Sequence, residues 1–186
     1  ARVIDWTLFR PTLIYGCGMD RNVTAIAQFI RHFGFFALAG RGQGLRQPVH
    51  ADDLAAACVA AIDARAAFNR DYDLSGGQTL RYREMVERVF EALGRTPRIV
   101  EIPLPFLRLL VRAVNWIPGL RHITPAMAER MNQDMCFDHG EATRDFGYRP
   151  RRFLVGAHVP PVPEPKVPAT ATPAVARVRN VMVTGA

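Results

Sequence analysis

Residues 38–62 read LAGRGQGLRQPVHADDLAAACVAAI: a glycine-punctuated loop, a short strand centred on Val49, and a helix that starts almost at once. A strand that runs straight into a helix is the unit from which parallel sheets are built. Asp52 or Asp53 can cap this helix, and Leu54, Cys58 and Ile62 recur at helical spacing to form its buried stripe.

Outward from there the same alternation continues. Upstream, Trp6 to Phe9 is a buried-type strand, followed by a proline turn and a second apolar run ending at Gly16. Val23, Ile26, Ala27 and Ile30 then recur at helical spacing within a helix from Val23 to Phe33. Downstream, DYDLSGG (71–77) is a strand with a glycine turn. TLRYREMVERVFEALG (79–94) is a helix with Met85, Val86, Val89, Phe90 and Leu93 on one face and Gly94 at its C-terminal cap. RIVEIPL (98–104) is a further strand. LPFLRLLVRAVNWIPGL (104–120) is an amphipathic helix with Arg108 and Arg112 on one face, fit either to pack on its own domain or to rest on a membrane surface. Thr124-Pro125 opens another helix over 125–135, and in FDHGEATRDFGYRPRRF (137–153) Asp138 and Glu141 have capping-box spacing while Gly147 stops the helix. The alternation argues for an α/β fold with parallel strands.

Composition narrows the function classes. The 186 residues are 49% hydrophobic and 22% charged, which describes a folding chain rather than a disordered one. The net charge of +7 is almost all arginine, since Lys166 is the only lysine. The arginines form no clustered stripe, which argues against nucleic acid and leaves a few of them free for a phosphate-bearing small molecule. Cys17, Cys58 and Cys136 are odd in number and lack ligand spacing, so neither a metal site nor a disulfide framework is expected, and a reducing cytoplasm fits. From Val155 the chain becomes Pro/Ala/Thr-rich and reads as a semi-rigid linker over 155–179. The segment 180–186, with VMVTGA, then reads as the first strand of a second dinucleotide-binding domain.

WTLFRPTLIYG, LAGRGQGLRQPVHADDLAAA, YDLSGG and FDHGEATRDFGYRPRRF, in this order over residues 1–154, resemble the C-terminal half of the extended short-chain dehydrogenase/reductase family, in its NAD-dependent epimerase/dehydratase branch. The resemblance implies the C-terminal part of a Rossmann-type domain with a smaller substrate-binding subdomain. It implies NAD or NADP as cofactor, held mainly by an N-terminal half, a nucleotide-sugar or similar substrate, and a homodimer. Such enzymes work through a Tyr-x-x-x-Lys pair, in which the lysine lowers the phenol pKa. Val162 stands four residues before Lys166, so these residues hold no such pair, no catalytic residue is assigned, and this chain by itself is expected to be inactive. GRGQG (40–44) likewise lacks the third glycine of the dinucleotide turn.

Residue by residue, the resemblance implies that Pro11 and Thr12 pass beside the nicotinamide, and that Asn22 contacts the substrate diphosphate, or else caps its helix. It implies that the backbone of Ala37 to Ala39 runs beside the nucleobase and that Arg46 clamps the diphosphate, as the R-x-x-V-H-x-x-D spelling of Arg46 to Asp53 matches the family's pattern. A guanidinium suits phosphate because its planar donors form charge-assisted hydrogen bonds. Gln47 and Pro48 depart from the acidic or amide residue and aromatic common in nucleotide-sugar enzymes. Tyr15 and His50 read as packing residues, Asp53 as a cap, and Asp138 as a capping residue at a place where the family sometimes meets the nucleotide. The alternative function is a non-catalytic, dinucleotide-binding relative like a complex I accessory subunit, peripheral to the inner membrane.

Overall fold

Strand β1 (Thr7–Pro11) lies between two parallel neighbours, and its alternating burial explains why TLFRP holds that place. Phe9 points into the core with no exposed surface, while Arg10 points out between Asp71 and Asp73 of β6 (Arg70–Leu74). Thr7 stands opposite Arg70 and Pro11 opposite Leu74. The computed structural model describes residues 4–16, 18, 20, 22–103 and 130–154, and the backbone of 181–183.

After β1 come β2 (Ile14–Tyr15), α1 (Val23–Phe33), β3 (Phe36–Ala39), β4 (Leu45–Arg46), β5 (Val49–His50) and α2 (Ala51–Ile62). A short 3-10 turn (Arg65–Ala67) leads into β6, followed by β7 (Leu80–Arg81), α3 (Tyr82–Ala92), β8 (Ile99–Ile102), α4 (Gly140–Phe146) and β9 (Val181–Val183). β2 pairs with β5 and β3 with β8, both in parallel, and β4 with β7 antiparallel. The strand at 181–183 is present, and rather than standing apart it lies parallel to β1, Thr7 opposite Val181, in the sheet that β6 shares. The expected helix over 104–117 and the linker lie outside the described residues, as does the expected helix over 125–135 as far as Arg130, after which the chain turns and Met135 bridges to Arg46 instead of continuing the helix.

Two cores hold these elements. One gathers Val23, Ile26, Ala27 and Ile30 of α1, Met85, Val86, Val89 and Phe90 of α3, and Phe36 and Leu38 of β3, the faces that helical spacing marks out. The other gathers Phe9, Val49, Tyr72 and Leu74 with Ala57 and Ala61 of α2 and Ala142 of α4. Gly34 and Gly147 close α1 and α4 in the left-handed conformation, where a Cβ is costly, with φ of 76° and 73°.

Three local expectations change. The buried face of α2 is centred on Ala57 and Ala61, with Leu54 and Cys58 at its flank and Ile62 exposed, because small residues let the helix approach the sheet closely. Neither Asp52 nor Asp53 caps α2. His50 Nδ1 accepts from the Asp52 N–H at 3.2 Å, and Asp53 turns away to receive the N–H and Nε of Arg151 at 2.9 and 2.8 Å. No capping box forms at α4: Asp138 accepts from the Gly140 N–H, and Glu141 reaches across to Arg70 of β6. Trp6 precedes β1 and is 46% exposed rather than buried.

Candidate functional site

In parallel α/β sheets ligands gather beyond the carboxyl ends of the strands, and here those ends are β1, β5 and β6. Pro11 is buried at the end of β1. Thr12 follows, its N–H donating to Leu74 at 3.1 Å and its hydroxyl to the carbonyl of Gln47. The Gln47 side chain accepts from the Phe137 N–H at 2.7 Å and donates to Thr79 at 3.2 Å. One glutamine therefore ties together the end of β1, the β6–β7 loop and the segment before α4. Ser75, fully buried after β6, shares a 2.6 Å hydrogen bond with His139 Nδ1, and Tyr148 donates to the Ser75 carbonyl at 3.1 Å.

Asn22 is exposed at the start of α1, and its side chain makes no capping bond. The cap comes from Asp20, which accepts from the Thr24 N–H at 2.9 Å and from the Thr24 hydroxyl at 2.6 Å. An Asp four residues ahead of a Thr was the signal for this cap in the sequence.

Arg46 is 4% exposed and forms no ion pair among the described residues. Its Nη1 donates to the carbonyls of Leu45 and Gln133 at 2.7 and 2.6 Å, its Nη2 donates to the Arg130 carbonyl, and its guanidinium lies 5.6 Å from the centre of the Tyr82 ring. Burial lowers the Arg46 pKa from its ordinary value and pushes the Tyr82 phenol up to about 12. The charge is compensated by carbonyl dipoles and a π-face rather than by a carboxylate.

Phe36 and Gly40 donate to β8, at Arg98 and Ile102, so the backbone groups of Ala37 and Ala39 face the opposite edge of β3. On that edge the Ala39 carbonyl accepts from Asn132 Nδ2 at 2.9 Å, while Asn132 Oδ1 accepts from the Gly42 N–H at 3.1 Å. Met135 and Asp134 bind the backbone of Leu45, at 2.9 Å each. The structure thus gathers Ala39, Gly42 and Arg46 around residues 130–135, and places Pro11 and Thr12 beside Gln47, the next residue along. The sequence marks Gln47 only as a departure from the family pattern and does not mark Asn132, because the partners of both are distant in the chain. Among the described residues no cluster could hold a metal ion, and no helix is long and apolar enough to cross a membrane.

The NAD dependent epimerase/dehydratase family matches residues 1–75. The chain is 31% identical over 117 residues to NADH dehydrogenase [ubiquinone] 1 alpha subcomplex subunit 9, mitochondrial, of Arabidopsis thaliana, covering 60% of this chain and 29% of that protein. It is 27% identical over 158 residues to short-chain dehydrogenase/reductase family 42E member 1 of Mus musculus, covering 77% and 40%. Among solved structures, UDP-glucuronic acid 4-epimerase from Bacillus cereus, in complex with UDP-glucuronic acid and NAD, superposes with a TM-score of 0.56 at 12% identity, covering 80% of this chain and 41% of that one. The chain spans less than half the length of each of these proteins. The fold is therefore Rossmann-type α/β, and the family match over residues 1–75 together with the curated relatives makes the chain similar to the extended short-chain dehydrogenase/reductase family, in its NAD-dependent epimerase/dehydratase branch.

Proposed function

We propose that this chain is the substrate-side wall of an NAD(P)-linked epimerase, dehydratase or reductase whose substrate carries a nucleotide diphosphate. The observation that carries the reading is Arg46, a buried cation with no carboxylate partner among the described residues. A buried charge is costly unless fully compensated, and an anionic group arriving at this wall would supply what three carbonyls supply in part. Asn22, with its amide uncommitted at the N-terminal end of an 11-residue helix, fits a second diphosphate contact. The UDP-glucuronic acid bound to the Bacillus cereus epimerase is a ligand of this chemistry.

The dinucleotide would supply hydride transfer, and the part of it these residues fit is small. GRGQG connects β3 to β4 and opens no helix, so it is not a pyrophosphate turn. Pro11, which ends β1, and Thr12 after it are the residues that would border the nicotinamide. The 186-residue chain alone is expected to show no NAD-linked turnover.

The test is UDP-glucose or UDP-glucuronic acid titrated into the natural protein that carries these residues. Saturable binding that Arg46→Met weakens by about tenfold to a hundredfold supports the reading, as expected for loss of a charged hydrogen bond. Binding unchanged by Arg46→Met and Asn22→Ala would sink it. The similarity to the Arabidopsis complex I subunit supports a second reading, a dinucleotide-binding member without turnover. Tight NAD(H) binding with no hydride transfer to any added substrate would favour that one.

A further inference from the structure

The end of α1 carries an aromatic cluster that breaks the surface. Phe29 and Phe33 lie tilted to one another with ring centroids 4.6 Å apart, Phe35 stands 6.2 Å from Phe33, and Phe29 meets Phe36 edge-on at 5.6 Å. Phe36 belongs to the core, so the cluster is rooted in the fold. Its outer members are open to solvent, Phe33 at 54% and Phe35 at 36%. Between them, Gly34 has nothing within 4 Å of where a Cβ would lie, and the same is true of Gly94 on the adjoining α3–β8 connection. The two phenylalanines therefore sit on a projecting tip, not in a groove.

The tip is basic. Arg31 and His32 occupy the last turn of α1. Arg95 crosses over to donate to the carbonyls of Ile30 and Arg31, at 2.7 and 3.3 Å, and Arg98 lies exposed where its carbonyl accepts from the Phe36 N–H. Residues 28–39 and 95–100 contain no carboxylate. Exposed aromatic rings on a convex tip, ringed by cations, match the chemistry of an anionic lipid surface: rings enter the acyl boundary while guanidinium groups meet headgroup phosphates. Two such faces on two copies of the chain would repel each other, which argues against self-association through them.

We propose that the tip formed by residues 31–35 and 95–98 is a docking site for an anionic membrane surface, with Phe33 and Phe35 as the inserting side chains. Its residues are separate from those of the catalytic reading.

The test is co-sedimentation of the natural protein that carries these residues with vesicles of phosphatidylcholine, with and without phosphatidylserine. Binding to the phosphatidylserine vesicles is expected, weakening as salt is raised and falling about tenfold in Phe33→Ser/Phe35→Ser. Circular dichroism checks that the variant folds. If it does not, Arg98→Glu reads the same surface, because the Arg98 side chain makes no bond among the described residues and only its carbonyl serves the fold. No binding by the unaltered chain, undiminished binding by the folded variants, or equal binding to both vesicle types would overturn the proposal. So would loss of binding through Leu107→Ser/Leu110→Ser alone. A poly-glutamate peptide that binds as tightly as the vesicles and ignores Phe33 and Phe35 would instead mark the tip as a protein-binding surface.

Discussion

Gly76 lies against the carbonyl of Pro48 so closely that a Cβ on it would stand 1.8 Å from that oxygen and 2.5 Å from its carbon. The Gly76 N–H meanwhile donates to Gln47 at 3.2 Å. The exit of β6 and the lead-in to β5 thus touch backbone to backbone, beside the hydrogen bond from Thr12 to Gln47.

Gly76→Ala is therefore expected to destabilise the chain by about 3 kcal/mol or more, since the obstacle is backbone and cannot rotate aside. Urea unfolding measures it. Gly34→Ala, where a Cβ meets open space but φ is 76°, is expected to cost only about 1 kcal/mol. Equal losses for the two would refute the close-approach account.

Asp20 and Asn22 are expected to separate by what they affect. Asp20→Ala removes the acceptor of the Thr24 N–H and hydroxyl and should cost about 1 kcal/mol of stability. Asn22→Ala should leave the unfolding midpoint within about 0.5 kcal/mol of the unaltered chain, because its side chain caps nothing. Any effect of Asn22→Ala should appear instead in diphosphate binding by the natural protein.

The chain is expected to lose stability in alkali. Burial and the hydrogen bond to Asp145 raise the Tyr72 phenol to about 12, and burial raises Tyr82 to about 12 and Tyr148 in the same direction. The unfolded chain releases these protons near the ordinary value of about 10 while the folded chain retains them. Unfolding thus releases protons, and stability falls as pH rises from about 10 towards 12. Urea midpoints across that range check the slope, which Tyr72→Phe should flatten.

Asn132 joins β3 to the loop before β4, through the Ala39 carbonyl and the Gly42 N–H. Asn132→Ala takes away both the donor to the Ala39 carbonyl and the acceptor of the Gly42 N–H, at a cost of about 1–3 kcal/mol. Hydrogen exchange should show the Gly42 amide opening more than the amides of α3. Uniform loss of protection would mean that the asparagine supports the whole core instead.

Much of this was legible in the sequence because it is local. Helical spacing marks the buried faces of α1 and α3, each of which packs on the other's. The family resemblance rested on several short phrases in order, and it held. The face of α2 was misplaced because the leucine spacing outweighed two alanines whose value lies in their smallness. Caps were misassigned at α2 and α4 because three candidate polar residues stand within a few positions of each start, and tertiary partners decide among them. Arg151 draws Asp53 away, and Arg70 draws Glu141. At Arg46 the residue type pointed to an anion, yet the carbonyls around it come from Arg130 and Gln133, far along the chain. No spacing rule reaches that distance.

The pairing of β1 has a kinetic meaning. Thr7 meets Arg70 on one edge and Val181 on the other, so within these residues β1 has to wait for partners made much later. Closing loops of that length costs entropy before any contact repays it, and folds dominated by such contacts form slowly. The α1–α3 core spans about the same interval of chain as the β1–β6 pair, so both can form before β9 completes the sheet. Within these residues, the edge of β1 that Val181 covers is the last to close, and an unpaired strand edge is where aggregation starts.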